Sequence, residues 1–336
     1  MASPIPQRRL AELLREGQAR AGVPVAAVAF HAGGRSVVAG AYERAFRIGS
    51  ITKSFTATAI SLAGLLDDRR RALLSHTAGY RPERPEPLPS VCAGLWSYSN
   101  AGYWEAADGF GGGYSDAVRE LVLEPLGLRR TGFETPADAV LGTLPGGVTA
   151  DPAYPLERRP SGGLWSTVSD LVQYGLAHCR QWQHLHEPLA EALGARYALG
   201  WWVREGLLDH EGSVGGYQSL LLLAPQEELV LAVLTNAWNG SALIQRLVEA
   251  LRLVPPPSGA SAEAPAAGRY ALDGLSAVVG DGRVVVTETD PLSGARIERR
   301  YPLRTDATLI SWRSDLPRPG VARIGWVALP RAEPAA

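Results

Sequence analysis

Apolar and polar positions follow two different periods along this chain. Over residues 5–20, Leu10, Leu13 and Leu14 fall on one face at helical spacing, which predicts an amphipathic helix. A strand is predicted at Val23–Phe30. The turn residues His31-Ala32-Gly33-Gly34 follow, and Arg35–Ala41 reads as a second strand, so the helix leads into a β-hairpin. A second apolar hairpin lies far along the chain, where Tyr217–Ala224 and Leu229–Thr235 flank Pro225-Gln226-Glu227-Glu228 and the helical pattern Ser241–Leu253 comes next. Strands from both regions can join in one antiparallel sheet with the two terminal helices over one face. Between them, residues 50–66, 114–126 and 167–177 read as helices, with a loop-like Arg81-Pro82-Glu83-Arg84-Pro85-Glu86-Pro87 between the first two.

Residues 255–267 are rich in proline, alanine and serine and too poor in large apolar side chains to pack, so they read as a linker. Beyond it, Val284–Thr289 and Ala307–Trp312 are strand-like, and the turn pairs Asp281-Gly282 and Ser293-Gly294 punctuate the segment. The expected organisation is therefore a main α+β domain over 1–254, the linker, and a small β domain over 268–336.

The chain has 336 residues, 46% hydrophobic and 20% charged, enough to bury a sizeable core. Thirty-three basic and 34 acidic residues leave a net charge of −1, which disfavours nucleic acid or an anionic membrane as a partner. No run reaches the roughly 18 apolar residues of a membrane helix. The N-terminal stretch lacks an apolar segment with a small-residue cleavage site, so the chain reads as cytoplasmic. Its two cysteines, Cys92 and Cys179, fit neither a disulfide framework nor a paired zinc pattern.

One feature of the charge is sharper: Lys53 is the single lysine, and every other basic residue is arginine. An amine loses its proton when buried and a guanidinium does not, which makes Lys53 a candidate base. Ser50 stands three residues before it at the start of the predicted helix, so hydroxyl and amine share a face near the unsatisfied N–H groups of the first turn. Tyr98-Ser99-Asn100 lies in a polar stretch, and His210-Glu211-Gly212-Ser213 ends a strand in small residues that let a substrate approach the backbone.

Taken in this order, these segments resemble the serine β-lactamase and penicillin-binding-protein superfamily, in the branch of class C β-lactamases, D-alanyl-D-alanine carboxypeptidases, D-aminopeptidases and related esterases. Phe46–Lys53, Leu73–Gly79, Tyr98–Tyr103, Glu124–Leu128, Ser161–Thr167 and Leu199–Trp202 all look like recurrent segments of that branch. The resemblance spans about residues 5–252. It implies helices around an antiparallel sheet plus a mostly helical region, with the cleft between them.

It further implies Ser50 as nucleophile, Lys53 and Tyr98 as proton carriers, and Asn100 holding the lysine and the substrate carbonyl. His210 stands where many members carry lysine, Gly212 allows close approach, and the backbone N–H of Ser213 forms an oxyanion hole with that of Ser50. No cofactor or metal is implied. His178, Cys179, His184 and His186 crowd one stretch but match no closed ligand set, and His76 is expected to be a hydrogen-bonded turn residue. Trp96, Trp201 and Trp202 are expected in the core or the cleft wall.

Glu211 stands where the family usually has threonine, serine or glycine, which argues against a β-lactam carboxylate. The segments 66–73 and 79–96 are short for this branch, so a trimmed helical region and a more open cleft are expected. The expected function is that of a serine hydrolase forming an acyl-enzyme on small ester or amide substrates, most nearly an esterase. The alternatives are a D-amino-acid peptidase or carboxypeptidase, a β-lactamase and, from another class, a non-catalytic module binding a cell-wall fragment or a protein.

Overall fold

The computed structural model describes residues 4–148, 154–253, 263–290, 294–303, 314–324 and 326–332. Helix α1 (Gln7–Ala21) ends at Gly22, whose left-handed φ of 65° lets its N–H reach back to the Gln18 carbonyl. The hairpin β1 (Ala26–Ala32) and β2 (Arg35–Gly40) follows. The first strand starts later than Val23 because Pro24 has no N–H to offer and the Val25 N–H is taken by the Asn236 side chain.

The short strand β3 (Phe46–Arg47) then leads to α2 (Thr52–Leu62), α3 (Asp68–Leu74), α4 (Asn100–Ala107) and α5 (Tyr114–Val118). Of the helix expected over 114–126, only the first turn is α-helical; a π-helical turn spans Arg119–Leu123. The two-residue strands β4 (Thr143–Leu144) and β5 (Gly147–Val148), the short helix α6 (Arg159–Gly162), β6 (Trp165–Ser166) and α7 (Val168–Arg180) complete the middle of the chain.

The main sheet takes its remaining strands from β7 (Ala190–Ala192), β8 (Ala195–Tyr197), β9 (Trp202–Arg204), β10 (Leu207–Val214), β11 (Tyr217–Ala224) and β12 (Leu229–Thr235), and α8 (Ser241–Ala250) follows. Its order is β2-β1-β12-β11-β10-β9-β8-β7, and neighbouring strands pair antiparallel throughout, with β1 joining β12 in register Ala26 to Thr235. The unbroken apolar runs of β11 and β12 have a physical reason: both faces of the sheet are covered. Leu220, Leu222, Leu231 and Val233 pack with Leu10 and Leu14 of α1 and Leu243 and Leu247 of α8. Leu221, Leu223, Val230 and Ala232 face the other way, toward Leu171 and Tyr174 of α7 and Phe55 of α2.

Beyond residue 267 the chain forms an antiparallel sheet of β13 (Gly268–Leu272), β14 (Leu275–Gly280), β15 (Arg283–Thr289) and β16 (Arg296–Pro302). A three-stranded sheet of β17 (Ser314–Arg318), β18 (Val321–Ile324) and β19 (Val327–Pro330) accompanies it. Residues 255–262 of the linker segment and the strand-like Ala307–Trp312 lie outside the described residues. The fold is thus α+β: an antiparallel sheet with helices on both faces, a short helical region, and a small β portion at the C-terminal end.

That last portion packs on the main body. Tyr270, Leu272, Ala328 and Leu329 share one buried cluster with Trp96, Tyr98, Tyr197 and Trp202. Polar contacts cross the same boundary: the Tyr98 N–H donates to the Trp326 carbonyl at 2.8 Å, the Gly215 N–H to Asp290 at 2.9 Å, and Arg81 pairs with Asp273 at 2.9 Å.

Candidate active site

Ser50 lies in a single 3-10 turn, Gly49–Ile51, that runs directly into α2. Gly49 opens it at φ +53°, and a side chain there would also meet the backbone nitrogen of Ser213 at 3.0 Å. The strand opposite is held just as close. At Gly212 a Cβ would lie 2.1 Å from the Ile48 carbonyl oxygen and 2.3 Å from Ser219 Oγ, and Ser219 Oγ itself donates to that carbonyl at 2.8 Å. Two glycines therefore let β10 press against the serine turn and bring Ser213 beside Ser50.

Lys53 sits in the first turn of α2, a helix buried from Thr52 to Ile60, and its side chain is fully enclosed. Its Nζ lies 3.2 Å from Ser50 Oγ, 2.6 Å from Asn100 Oδ1 and 2.7 Å from the Ser161 carbonyl oxygen. Burial holds the amine well below its usual pKa, and the charge of Glu83 offsets part of that shift. A neutral amine has two N–H bonds, which suit the Asn100 and Ser161 oxygens, and one lone pair, which then faces the Ser50 hydroxyl. The rings of Tyr98 and Tyr103 lie 4.8 and 5.3 Å from the same nitrogen.

Tyr98 precedes α4, and its hydroxyl hydrogen-bonds to Ser50. Burial raises its pKa well above the usual phenol value despite that bond, so the ring carries its proton at neutral pH. Ser99 caps α4 by accepting the Gly102 N–H, and its hydroxyl donates to the Arg81 carbonyl at 2.6 Å. The Asn100 N–H donates to the Pro82 carbonyl at 2.7 Å. The loop at 81–83 is thereby strapped onto the start of α4, and Glu83 arrives over Asn100, accepting a hydrogen bond from its Nδ2.

His210, on β10, belongs to a chain of hydrogen bonds whose direction is fixed at both ends. The Ser99 N–H donates to His76 Nδ1 at 3.1 Å, so the His76 proton is on Nε2, which lies 3.2 Å from the Tyr197 hydroxyl. At the other end His210 Nδ1 lies 2.7 Å from the Glu211 carbonyl oxygen, which can only accept. His210 Nε2 is left to accept from Tyr197 at 3.3 Å. Burial is the main cause that brings His210 down to about 3, so it is neutral at pH 7. His76, at φ +62°, is the hydrogen-bonded turn residue the sequence suggests.

A cavity of about 150 Å³ collects five of the seven expected residues, Ser50, Tyr98, Asn100, His210 and Ser213, along its wall. Lys53 lies beneath and Gly212 behind. The expectation of a more open cleft does not hold: Leu272–Leu275, Glu288–Asp290 and Trp326 of the C-terminal portion form the far wall. Trp202 lines the cleft, whereas Trp201 is in the core and Trp96 packs on His76 and Trp202. Glu83 and Tyr197 carried no signal in the sequence, and Ser161 stood out only as the start of a recurrent segment, not as a lysine partner. His178 Nδ1 lies 3.0 Å from His186 Nε2 and His178 Nε2 faces Thr58, while His184 meets Ser61.

A serine turn heading a buried helix, a lysine under it and a glycine-bearing strand across from it are the arrangement that the resemblance to the serine β-lactamase and penicillin-binding-protein superfamily implies. The chain belongs to the beta-lactamase family, whose model matches residues 69–254. That span includes Tyr98, Asn100, His210 and Ser213 but starts after Ser50 and Lys53, which join the site through the geometry above.

SurE is similar in structure, with TM-score 0.68 and 20% identity over 97% of this chain and 99% of its own; SurE with D-Leu gives 0.65 and 19% over the same shares. A beta-lactamase/D-alanine carboxypeptidase from Pseudomonas syringae gives 0.60 and 16%, over 72% of this chain and 98% of its own. Alignment over 97% of the chain means that the C-terminal β portion, too, is shared with SurE. No curated protein sequence matches the chain. Among the described residues no helix is long and apolar enough to cross a membrane.

Proposed function

We propose that the protein hydrolyses small ester or amide substrates through an acyl-enzyme on Ser50. The observation that carries this reading is the enclosed Lys53 amine, 3.2 Å from Ser50 Oγ, with two carbonyl oxygens occupying its N–H bonds. Ser50 Oγ attacks the acyl carbon while its proton passes to the lone pair of Lys53. The backbone N–H groups of Ser50 and Ser213 receive the developing oxyanion. Tyr98, a phenol in its protonated state, gives its proton to the leaving group and regains one from Lys53. Water then enters by the reverse path, and deacylation restores the free serine.

The esterase reading is favoured over a β-lactamase by charge. β-Lactams carry a carboxylate beside the scissile bond, and this cleft meets it with Glu211 and a neutral histidine where many relatives have lysine. A second reading, a peptidase for D-residues, is favoured by the D-Leu held by the SurE neighbour and by the carboxypeptidase named above.

A parallel panel of short-chain p-nitrophenyl esters, D-amino-acid anilides and a chromogenic cephalosporin tests the reading. The short esters are expected to give the highest kcat/KM, because their reactivity is intrinsic. Cephalosporin turnover faster than every ester would overturn it.

A further inference from the structure

The cleft wall has a charge that the family resemblance does not explain. Five carboxylate side chains line it, Glu83, Glu211, Asp273, Glu288 and Asp290; Asp273 and Glu288 are ion-paired with Arg81 and Arg299, yet among the described residues no lysine or arginine lines the cleft itself. Glu83 is closest to the chemistry. It accepts from Asn100 Nδ2, Asn100 in turn accepts from Lys53, and Glu83 lines the two cavities that flank Ser50. The other Glu83 oxygen has only a long contact, 3.7 Å, with Arg158.

Asn100 has two N–H bonds, and one is spent on this carboxylate, so the amide that the resemblance assigns to a substrate carbonyl is partly withdrawn from that task. Across the cleft, Asp273 takes Arg81 on Oδ1 at 2.9 Å, yet its Oδ2 is buried with no hydrogen-bond partner, on a side chain only 9% exposed. Buried polar atoms are rarely left in that state unless something else meets them.

We infer that, among acyl donors of equal intrinsic reactivity, Glu83 selects those carrying a free ammonium group beside the scissile carbonyl, with Asp273 on the opposite wall as a second acceptor for cationic or N–H groups. This rests on the proposed acyl-enzyme reading and deepens it by naming the substrate class. An α-ammonium is bonded to the carbon next to the acyl carbon, so with that acyl carbon at Ser50 it stays close to the two cavities that Ser50 and Glu83 both line, the second of which also has Arg158 in its wall. An N-acyl group at the same place keeps one N–H but loses the positive charge and two donors, and it adds a carbonyl oxygen that the acidic wall disfavours. A carboxylate would fare worse still, since neutral His210 supplies no counter-charge. Burial raises the Glu83 pKa, a desolvation strain that a bound ammonium would relieve better than Arg158 does at its distance.

Calorimetric titration of the full chain tests this directly, with Ser50→Ala present to stop turnover. The probes are D-leucinamide, which carries the ammonium, and N-acetyl-D-leucinamide, which does not. The ammonium probe is expected to bind at least about tenfold more tightly, and adding Glu83→Gln is expected to bring the two within about threefold, while Glu83→Asp keeps most of the preference.

A purely structural Glu83 that only holds Asn100 would weaken both probes equally and leave their ratio unchanged, which overturns the inference. Equal binding in the Glu83 protein, tighter binding of the acetylated probe, or binding of neither also overturns it. Labelling of Ser50 in the wild-type protein is read separately, so a chain that prefers the ammonium but never acylates would fail the acyl-enzyme reading alone.

Discussion

At the scale of single residues the decisive group is Lys53. It is buried among a serine hydroxyl, an asparagine oxygen, a backbone carbonyl and two aromatic rings. A charged ammonium there is poorly solvated, and the shift toward the neutral amine is what the proposed transfer of a proton from serine requires. Arginine offers the same hydrogen bonds but not the titration, because guanidinium stays protonated.

Lys53→Arg is therefore expected to lower ester turnover by about a hundredfold or more, the scale of a lost general base. Circular dichroism is expected to show the fold retained. Near-normal ester hydrolysis in a folded Lys53→Arg protein would remove Lys53 from the mechanism. The uniqueness of this lysine was legible in the composition; its neighbours were not. Asn100 and the Ser161 carbonyl are 47 and 108 residues away along the chain, and nothing local in the sequence marks a backbone oxygen as a lysine partner.

At the scale of elements, the serine turn and β10 act as one unit. The strand and helix patterns at both ends of the main body were readable because their periods, 2 and 3.6, are set by which faces the sheet and its helices bury. The start of α4 was harder to read. Its capping serine is visible, but the loop 81–87 that folds onto it looks like any proline-rich connection, so Glu83 and its contact with Asn100 stayed hidden. The contact between Gly212 and Ile48 was hinted at only by the glycine itself.

Gly212→Ala offers a direct probe of that contact. Its methyl would press on the Ile48 carbonyl oxygen, backbone that cannot swing away as a side chain can. The strand must move outward and carry the Ser213 N–H with it. Overpacking of this kind costs about 1–3 kcal/mol, and a displaced oxyanion donor costs about a hundredfold in kcat. The expectation is thus a lowered urea midpoint together with a much larger loss in kcat than in KM. An unchanged kcat would mean that Ser213 does not serve the oxyanion.

At the scale of the whole molecule, the site is closed by parts of the chain far apart in sequence. Tyr98 joins Trp326, Ser97 joins Ala328 and Gly215 joins Asp290, and the buried cluster around Tyr197, Trp202 and Tyr270 spans both sides. A composition shift near residue 255 signalled a separate β portion, but no local pattern told where it would dock. Docking depends on apolar surface left over on each side after each has folded. Its consequence is a walled cleft of about 150 Å³ with an acidic lining, in place of an open one.

The most direct measurement is the intact mass of the full chain after incubation with a fluorophosphonate. A single adduct is expected, mapped by peptide analysis to Ser50, absent in Ser50→Ala and formed far more slowly in Lys53→Arg. No adduct on the wild-type protein, or an adduct on another residue that forms equally well in Ser50→Ala, would contradict it.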